Sequence, residues 1–175
     1  MFWPLLSGKP SRSWLEWVKA ASVISRPPTI SIFTVGNRPL PSALVFVDTG
    51  AWYAYVDKSD ANHSAALRLV QALTRPLVTT NYVFDETVTL IQAHLGHSAA
   101  SLFGQKLQQE QIARLVRITE QQEGQAWEIF VRHHDKGFSF TDCTSFALME
   151  ELGLDTAFAF DIHFRQYGKF VVIPS

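Results

Sequence analysis

Four carboxylates, Asp48, Glu86, Asp142 and Asp161, stand where an α/β chain can do chemistry. Asp48 and Asp161 each follow a short apolar run, Asp142 falls in the first turn of a helical stretch, and Glu86 lies in the first two turns of another. In a parallel sheet, strand C-termini and the N-termini of the following helices share one edge, where ligand sites form. The acids are therefore expected to converge there, beside Thr49, Thr80, Asn81, Thr141 and Ser145. Whole elements separate them along the chain, which excludes a local calcium loop.

Like charges held close repel, and a protein keeps them together only with protons or a hard cation. Oxygen donors without thiolates or ordered histidine spacing suit Mg²⁺ or Mn²⁺. Such a centre can bridge phosphate oxygens, orient a water for in-line attack and stabilise the leaving oxygen, so phosphodiester hydrolysis is the chemistry expected. Each acid also has a structural use: Asp142 as a helix cap or dipole partner, Asp48 and Asp161 as turn formers, Glu86 as a solvated helix residue.

The elements that must position these side chains follow from periodicity. Leu44–Val47, Leu77–Thr80, Ala113–Ile118, Ala157–Phe160 and Phe170–Ile173 are short apolar or branched runs and read as strands. Between them lie a short helical stretch after Asp48 and helices over Asn62–Leu73, Asn81–Leu95 and Ser98–Gln109. A further helix opens at Thr119, with Gln122 at capping-box spacing, and another opens at Ser139 or Thr141 and stops at Gly153. This alternation predicts an α/β chain, a three-layer α/β/α sandwich around a mostly parallel sheet.

The whole chain has 175 residues, 47% hydrophobic and 18% charged, which fits one folded domain and excludes wholesale disorder. Its one cysteine, Cys143, gives no disulfide framework, and no apolar run reaches the length of a membrane span, so a soluble cytoplasmic protein is expected. The first forty residues differ from the rest. They hold five of the eight prolines (Pro4, Pro10, Pro27, Pro28, Pro39), and only Ser13–Ile24, with Trp14, Trp17, Val18 and Ala21, has a helical pattern. Lys9, Arg12, Lys19, Arg26 and Arg38 against Glu16 make residues 1–42 basic, which leaves residues 43–175 acidic. Residues 1–42 are read as a poorly ordered N-terminal extension and residues 43–175 as the domain. An acidic domain lacks the basic groove of a simple nucleic-acid binder, so phosphate chemistry calls for a cation as intermediary.

The residues around the acids resemble the PIN-domain family, the fold of VapC-type toxin ribonucleases. The matching segments are Val45-Phe46-Val47-Asp48-Thr49-Gly50, Thr80-Asn81-Tyr82-Val83-Phe84-Asp85-Glu86, Phe140-Thr141-Asp142-Cys143 and Ala159-Phe160-Asp161-Ile162-His163-Phe164. The resemblance covers residues 43–175. It implies that Asp48, Glu86, Asp142 and Asp161 bind one or two divalent metals for RNA cleavage, with the Thr49 and Thr141 hydroxyls orienting ligands. It further implies a homodimer and, for toxin members, a small antitoxin that holds the enzyme inactive. The departures are the N-terminal extension and Gly50, where the family often has a small polar residue.

Other signals were weighed against this one. A catalytically silent PIN module binding RNA or a protein partner is the rival, and four intact acids favour the enzyme. Asp48-Thr49-Gly50 also looks like a dimeric aspartic-protease loop, which predicts an all-β chain. His94, His97, His133 and His134 stand near helix ends, where the dipole favours them, without a completing zinc set. Cys143 has no triad around it and reads as a small buried residue. Arg165 and Lys169, close in sequence to Asp161, are the expected phosphate contacts. A chain starting near Ser42 is expected to fold and keep its activity; insolubility or inactivity of that truncation would assign the extension to the fold or to a dimer.

Overall fold

The computed structural model describes residues 44–175; the extension and its expected helix lie outside them. Five strands, β1 (Val45–Val47), β2 (Leu77–Thr80), β3 (Arg114–Val116), β4 (Thr156–Phe158) and β5 (Val171–Ile173), form one sheet in the order β3-β2-β1-β4-β5. Every pairing is parallel, beyond the mostly parallel sheet expected. Seven helices connect the strands among the described residues: α1 (Thr49–Val56), α2 (His63–Ala72), α3 (Asn81–Leu95), α4 (His97–Gln108), α5 (Glu120–Arg132), α6 (Phe140–Leu152) and α7 (His163–Tyr167). Right-handed crossovers place α1–α4 on one face and, after the chain reverses direction at β3, α5–α7 on the other. The result is the three-layer sandwich.

The three inner strands are dry, while β3 and β5 at the sheet's edges are partly exposed. Val45, Phe46 and Val47 are fully buried, as are Val78, Thr79 and Thr80 of β2 and Ala157 and Phe158 of β4. A parallel strand covered on both faces reads as a continuous apolar run, which is why β1 is legible as one. The Thr79 hydroxyl donates to the Val47 carbonyl at 2.8 Å, which satisfies a hydroxyl that would otherwise be orphaned in this core.

Helix starts along the acid-bearing edge are capped by side chains. Asp48 caps α1, Thr80 caps α3 by accepting from the Val83 amide, and Thr119 opens α5 in a reciprocal capping box with Gln122. Of the two openings considered for α6, the structure uses Ser139, in a second capping box with Asp142. Gly153 ends α6 in the left-handed region at φ 63°, where a side chain costs about 1–2 kcal/mol.

Two boundaries differ from expectation. The strand expected over Ala157–Phe160 stops at Phe158, and α7 lies where no helix was expected. Five residues are too few for a helical period to show; tertiary packing holds this turn. Phe164 is fully buried, 5.9 Å from the Phe46 ring and 4.9 Å from the Phe146 ring. Phe164→Ala is expected to destabilise the domain by about 3–5 kcal/mol and to free the Asp161 loop, measured as a lower denaturation midpoint with unchanged slope.

Candidate active site

β1 lies at the centre of the sheet and β4 beside it, and the order of strands reverses between them. The crevice outside the C-terminal ends of such a pair is the customary ligand site of an open α/β sheet. Asp48 follows β1 directly. Its Oδ2 accepts from the Gly50 amide at 3.2 Å, and the residue is 5% exposed. A Cβ on Gly50 would stand 3.6 Å from Asp48 Oδ2, ordinary contact, so the glycine here is no steric necessity.

Burial pushes the Asp48 carboxyl up to about 7, with the Asp142 charge adding to the rise and the amides of Thr49 and Gly50 opposing it. Glu86 contributes a further, smaller upward push. Crowding of carboxylates is thus real, but desolvation is the larger cause.

The other acids are held by neighbours of their own. Glu86, on the exposed side of α3, accepts from the Thr49 hydroxyl at 2.7 Å. Asp142 Oδ2 accepts from the Ser139 amide at 2.7 Å and lies 3.0 Å from His163 Nδ1. His163 Nδ1 is also 3.3 Å from Asp161 Oδ1, which accepts from the His163 amide at 2.8 Å. The acids therefore stand in two linked pairs, Asp48 with Glu86 through Thr49, and Asp142 with Asp161 through His163, and the field of Asp142 at Asp48 joins the pairs. Among the described residues no three His, Cys, Asp or Glu side chains are close enough to hold one metal ion. That corrects the expectation of one gathered pocket. Each outlying carboxylate has a donor of its own, a hydroxyl, an amide or an imidazole.

The donor set nevertheless fits a hard divalent cation. All four ligand candidates are carboxylates at one sheet edge, one of them dry enough to hold a proton near neutrality, and the domain's Lys and Arg ion pairs serve other acids: Arg75 on Asp155, Lys136 on Asp135, Lys169 on Glu150. Asp48, Glu86, Asp142 and Asp161 would hold the metal, displacing the Asp48 proton and the His163 contact.

His163 is the site residue that the sequence reading did not assign a role. Its only signal is its place two residues after Asp161, where the side chain can close on an acid of another element. Thr141 supplies its carbonyl, which accepts from the Thr144 and Ser145 hydroxyls at 2.9 and 2.8 Å. Arg165 donates from Nη2 to the carbonyl of Pro174, just past β5 on the acid-bearing edge. Lys169 precedes β5 and so lies toward the opposite edge, bound to Glu150 Oε1 at 2.8 Å and over the Tyr167 ring. Glu150 is eight residues down α6 from Asp142, about 12 Å at helical rise, so the structure does not bring Lys169 to the acids.

The remaining signals resolve structurally. Burial pushes the Cys143 thiol up to about 11, with Asp142 adding to it, so a thiolate nucleophile is excluded at neutral pH. His94 packs edge-on against Tyr53, and His133 bonds back to the Ile129 carbonyl and lies against Phe138 and Tyr167. The α/β layers remove the aspartic-protease reading, which needs an all-β chain. No helix of the described residues is long and apolar enough to cross a membrane.

Comparison with known proteins adds the family. The PIN domain matches over residues 45–170. The 23S rRNA-specific endonuclease VapC20 of Mycobacterium tuberculosis is 38% identical over 131 residues, which span 75% of this chain and 99% of that protein. The VapC ribonuclease of Archaeoglobus fulgidus is 28% identical over 133 residues, 70% of this chain and 84% of that one. The crystal structure of M. tuberculosis VapC20, titled a sarcin-ricin loop cleaving toxin, superposes with a TM-score of 0.68 over 71% of this chain and 95% of that chain.

The raised Asp48 pKa has a stability consequence with a defined sign. The folded protein holds a proton that the unfolded chain gives up near pH 4, so stability falls as pH rises from about 4 through about 7. In EDTA at pH 8, Asp48→Asn is expected to melt higher than wild type, roughly 2–4 °C for each kcal/mol gained, and the advantage should vanish at pH 4. Asp142→Asn should gain less, because Asp142 caps α6 and meets His163. An Asp48→Asn protein that melts lower at pH 8 would show that its carboxylate is needed as a cap.

Proposed function

The chain belongs to the PIN-domain family, and on that ground we propose that it is a divalent-metal-dependent endoribonuclease, the toxin of a toxin–antitoxin pair acting in the cytoplasm as a homodimer. The observation that carries the reading is the carboxylate edge: Asp48 sunk at the end of the central strand, with Asp142 and Glu86 acting on its charge. Relatives that are themselves endonucleases and ribonucleases, one of them matched over nearly its whole length, support RNA as the substrate. Large-subunit ribosomal RNA is the first substrate to test.

In this reading Asp48, Glu86, Asp142 and Asp161 would hold one or two Mg²⁺ or Mn²⁺ ions. Bound there, a divalent ion supplies Lewis-acid stabilisation of the phosphate charge and acidifies water. Thr49 holds Glu86 in place, and the Ser139 amide holds Asp142 Oδ2, so neither acid must be ordered when substrate arrives. His163 tethers Asp142 and Asp161 in the metal-free protein. Arg165, at the mouth beside Pro174, is the phosphate contact retained here. Water attacks phosphorus in line and the P–O bond to the next nucleotide breaks. A small antitoxin is the expected partner.

Purified protein incubated with ribosomal RNA is expected to cut it with Mn²⁺ and not with EDTA. Asp48→Asn and Asp142→Asn should each lower kcat at least a hundredfold, and metal affinity should rise with pH through about 7 as Asp48 loses its proton. Cutting that persists in EDTA, or in Asp48→Asn, sinks the metal mechanism; binding without any cutting favours the silent module.

A further inference from the structure

A row of aromatic rings leaves the acid-bearing edge and reaches solvent on α5. Tyr82 stands four residues before Glu86 on α3, so the two share a helix face. Its ring meets Phe140, the first residue of α6 and two before Asp142, edge to face at 5.8 Å. Phe140 meets Phe130 edge to face at 6.3 Å, and Phe130 stacks on Trp127 at 5.7 Å and 24°. Exposure increases outward along the row: Tyr82 and Phe140 are half-buried, while Phe130 is 38% and Trp127 58% exposed. The Tyr82 hydroxyl donates to Glu123 Oε1 at 2.7 Å, tying α3 to α5 beneath the row.

We infer that Trp127, backed by Phe130, is a stacking platform for an unpaired RNA base, set at a fixed distance from the acids by Phe140 and Tyr82. Resting as it does on the ribonuclease reading, the inference names how that reaction holds its strand.

Two observations favour a base over a second protein copy. First, residues 43–175 are acidic overall, and on α5 Glu120, Glu123 and Glu128 outnumber Arg132, so this face is poorly suited to neutralising phosphates. Base stacking on an aromatic face needs no cation and tolerates any sequence. Second, the apolar surface here is Trp127, Phe130 and Val131, each partly exposed. Three such side chains fall well short of the roughly 800 Å² per partner that a standard protein interface covers. The patch is also continuous with the site through Phe140, which a base next to the scissile phosphate requires.

The test is binding, kept apart from cutting. A fluorescein-labelled single-stranded RNA of about twelve nucleotides is titrated with the full chain in EDTA and followed by anisotropy. Trp127→Ala is expected to bind about tenfold more weakly, Trp127→Phe to recover most of the loss, and the slope of log Kd against log salt to stay unchanged. With Mn²⁺, Trp127→Ala should raise KM and leave kcat near wild type. A fully paired duplex of the same sequence should bind both proteins alike, since its bases are not free to stack. Equal binding of the single strand by wild type and Trp127→Ala overturns the platform while leaving the ribonuclease reading intact. If wild type binds the strand through Trp127 yet never cuts RNA in Mn²⁺, the ribonuclease reading fails and the platform stands. If Trp127→Ala changes the sedimentation mass and not the RNA affinity, the α5 face is a self-association surface and the inference is wrong.

Discussion

The end of β1 sets one carboxylate in a place that water has left. Asp48 follows three fully buried residues on the central strand, with helices over both faces, and its charge is opposed there first by desolvation and then by Asp142. A protein reaches such a state only where something offsets it, and what offsets it within the chain is modest: two amides at the start of α1. The sheet that dries Asp48 is the same sheet that brings Glu86, Asp142 and Asp161 to its edge. Fold stability and site electrostatics therefore pull against each other at this residue. A divalent cation, as proposed, would relieve the opposition, since Arg75, Lys136 and Lys169 pair with other acids.

The rest of the edge is arranged to hold acids ready. Capping does double service here. Asp48 caps α1, and Asp142 belongs to the box that opens α6, so the local interactions that start these helices also aim their carboxylates. The structural use of Asp142, weighed against a functional one from sequence, is in fact the means by which its side chain is fixed. His163, 21 residues on from Asp142, extends this logic to the last acid by linking Asp142 to the more exposed Asp161.

Much of this was legible from the residues because parallel strands declare themselves as short apolar runs with an acid at the end, as Val45-Phe46-Val47-Asp48 does. Capping boxes declare themselves too, Thr119 with Gln122 above all. What escaped depended on where the chain goes after leaving a strand. The helix α7 is too short to show a period, so the role of His163 was invisible. Lys169 is near Asp161 in sequence, but between them the chain turns through α7 and returns toward the start of β5, taking the ammonium to Glu150. Nearness along the chain is a poor guide to charge placement in a parallel sheet, where each return crosses the whole layer.

The separation of the acids into two pairs follows from the same electrostatics. Glu86 is held by a hydroxyl and Asp142 by an amide and an imidazole. Thr49, the Ser139 amide and His163 give Glu86, Asp142 and Asp161 donors of their own along this edge. The buried acid at the end of the central strand is the point on which the fields of Asp142 and Glu86 act.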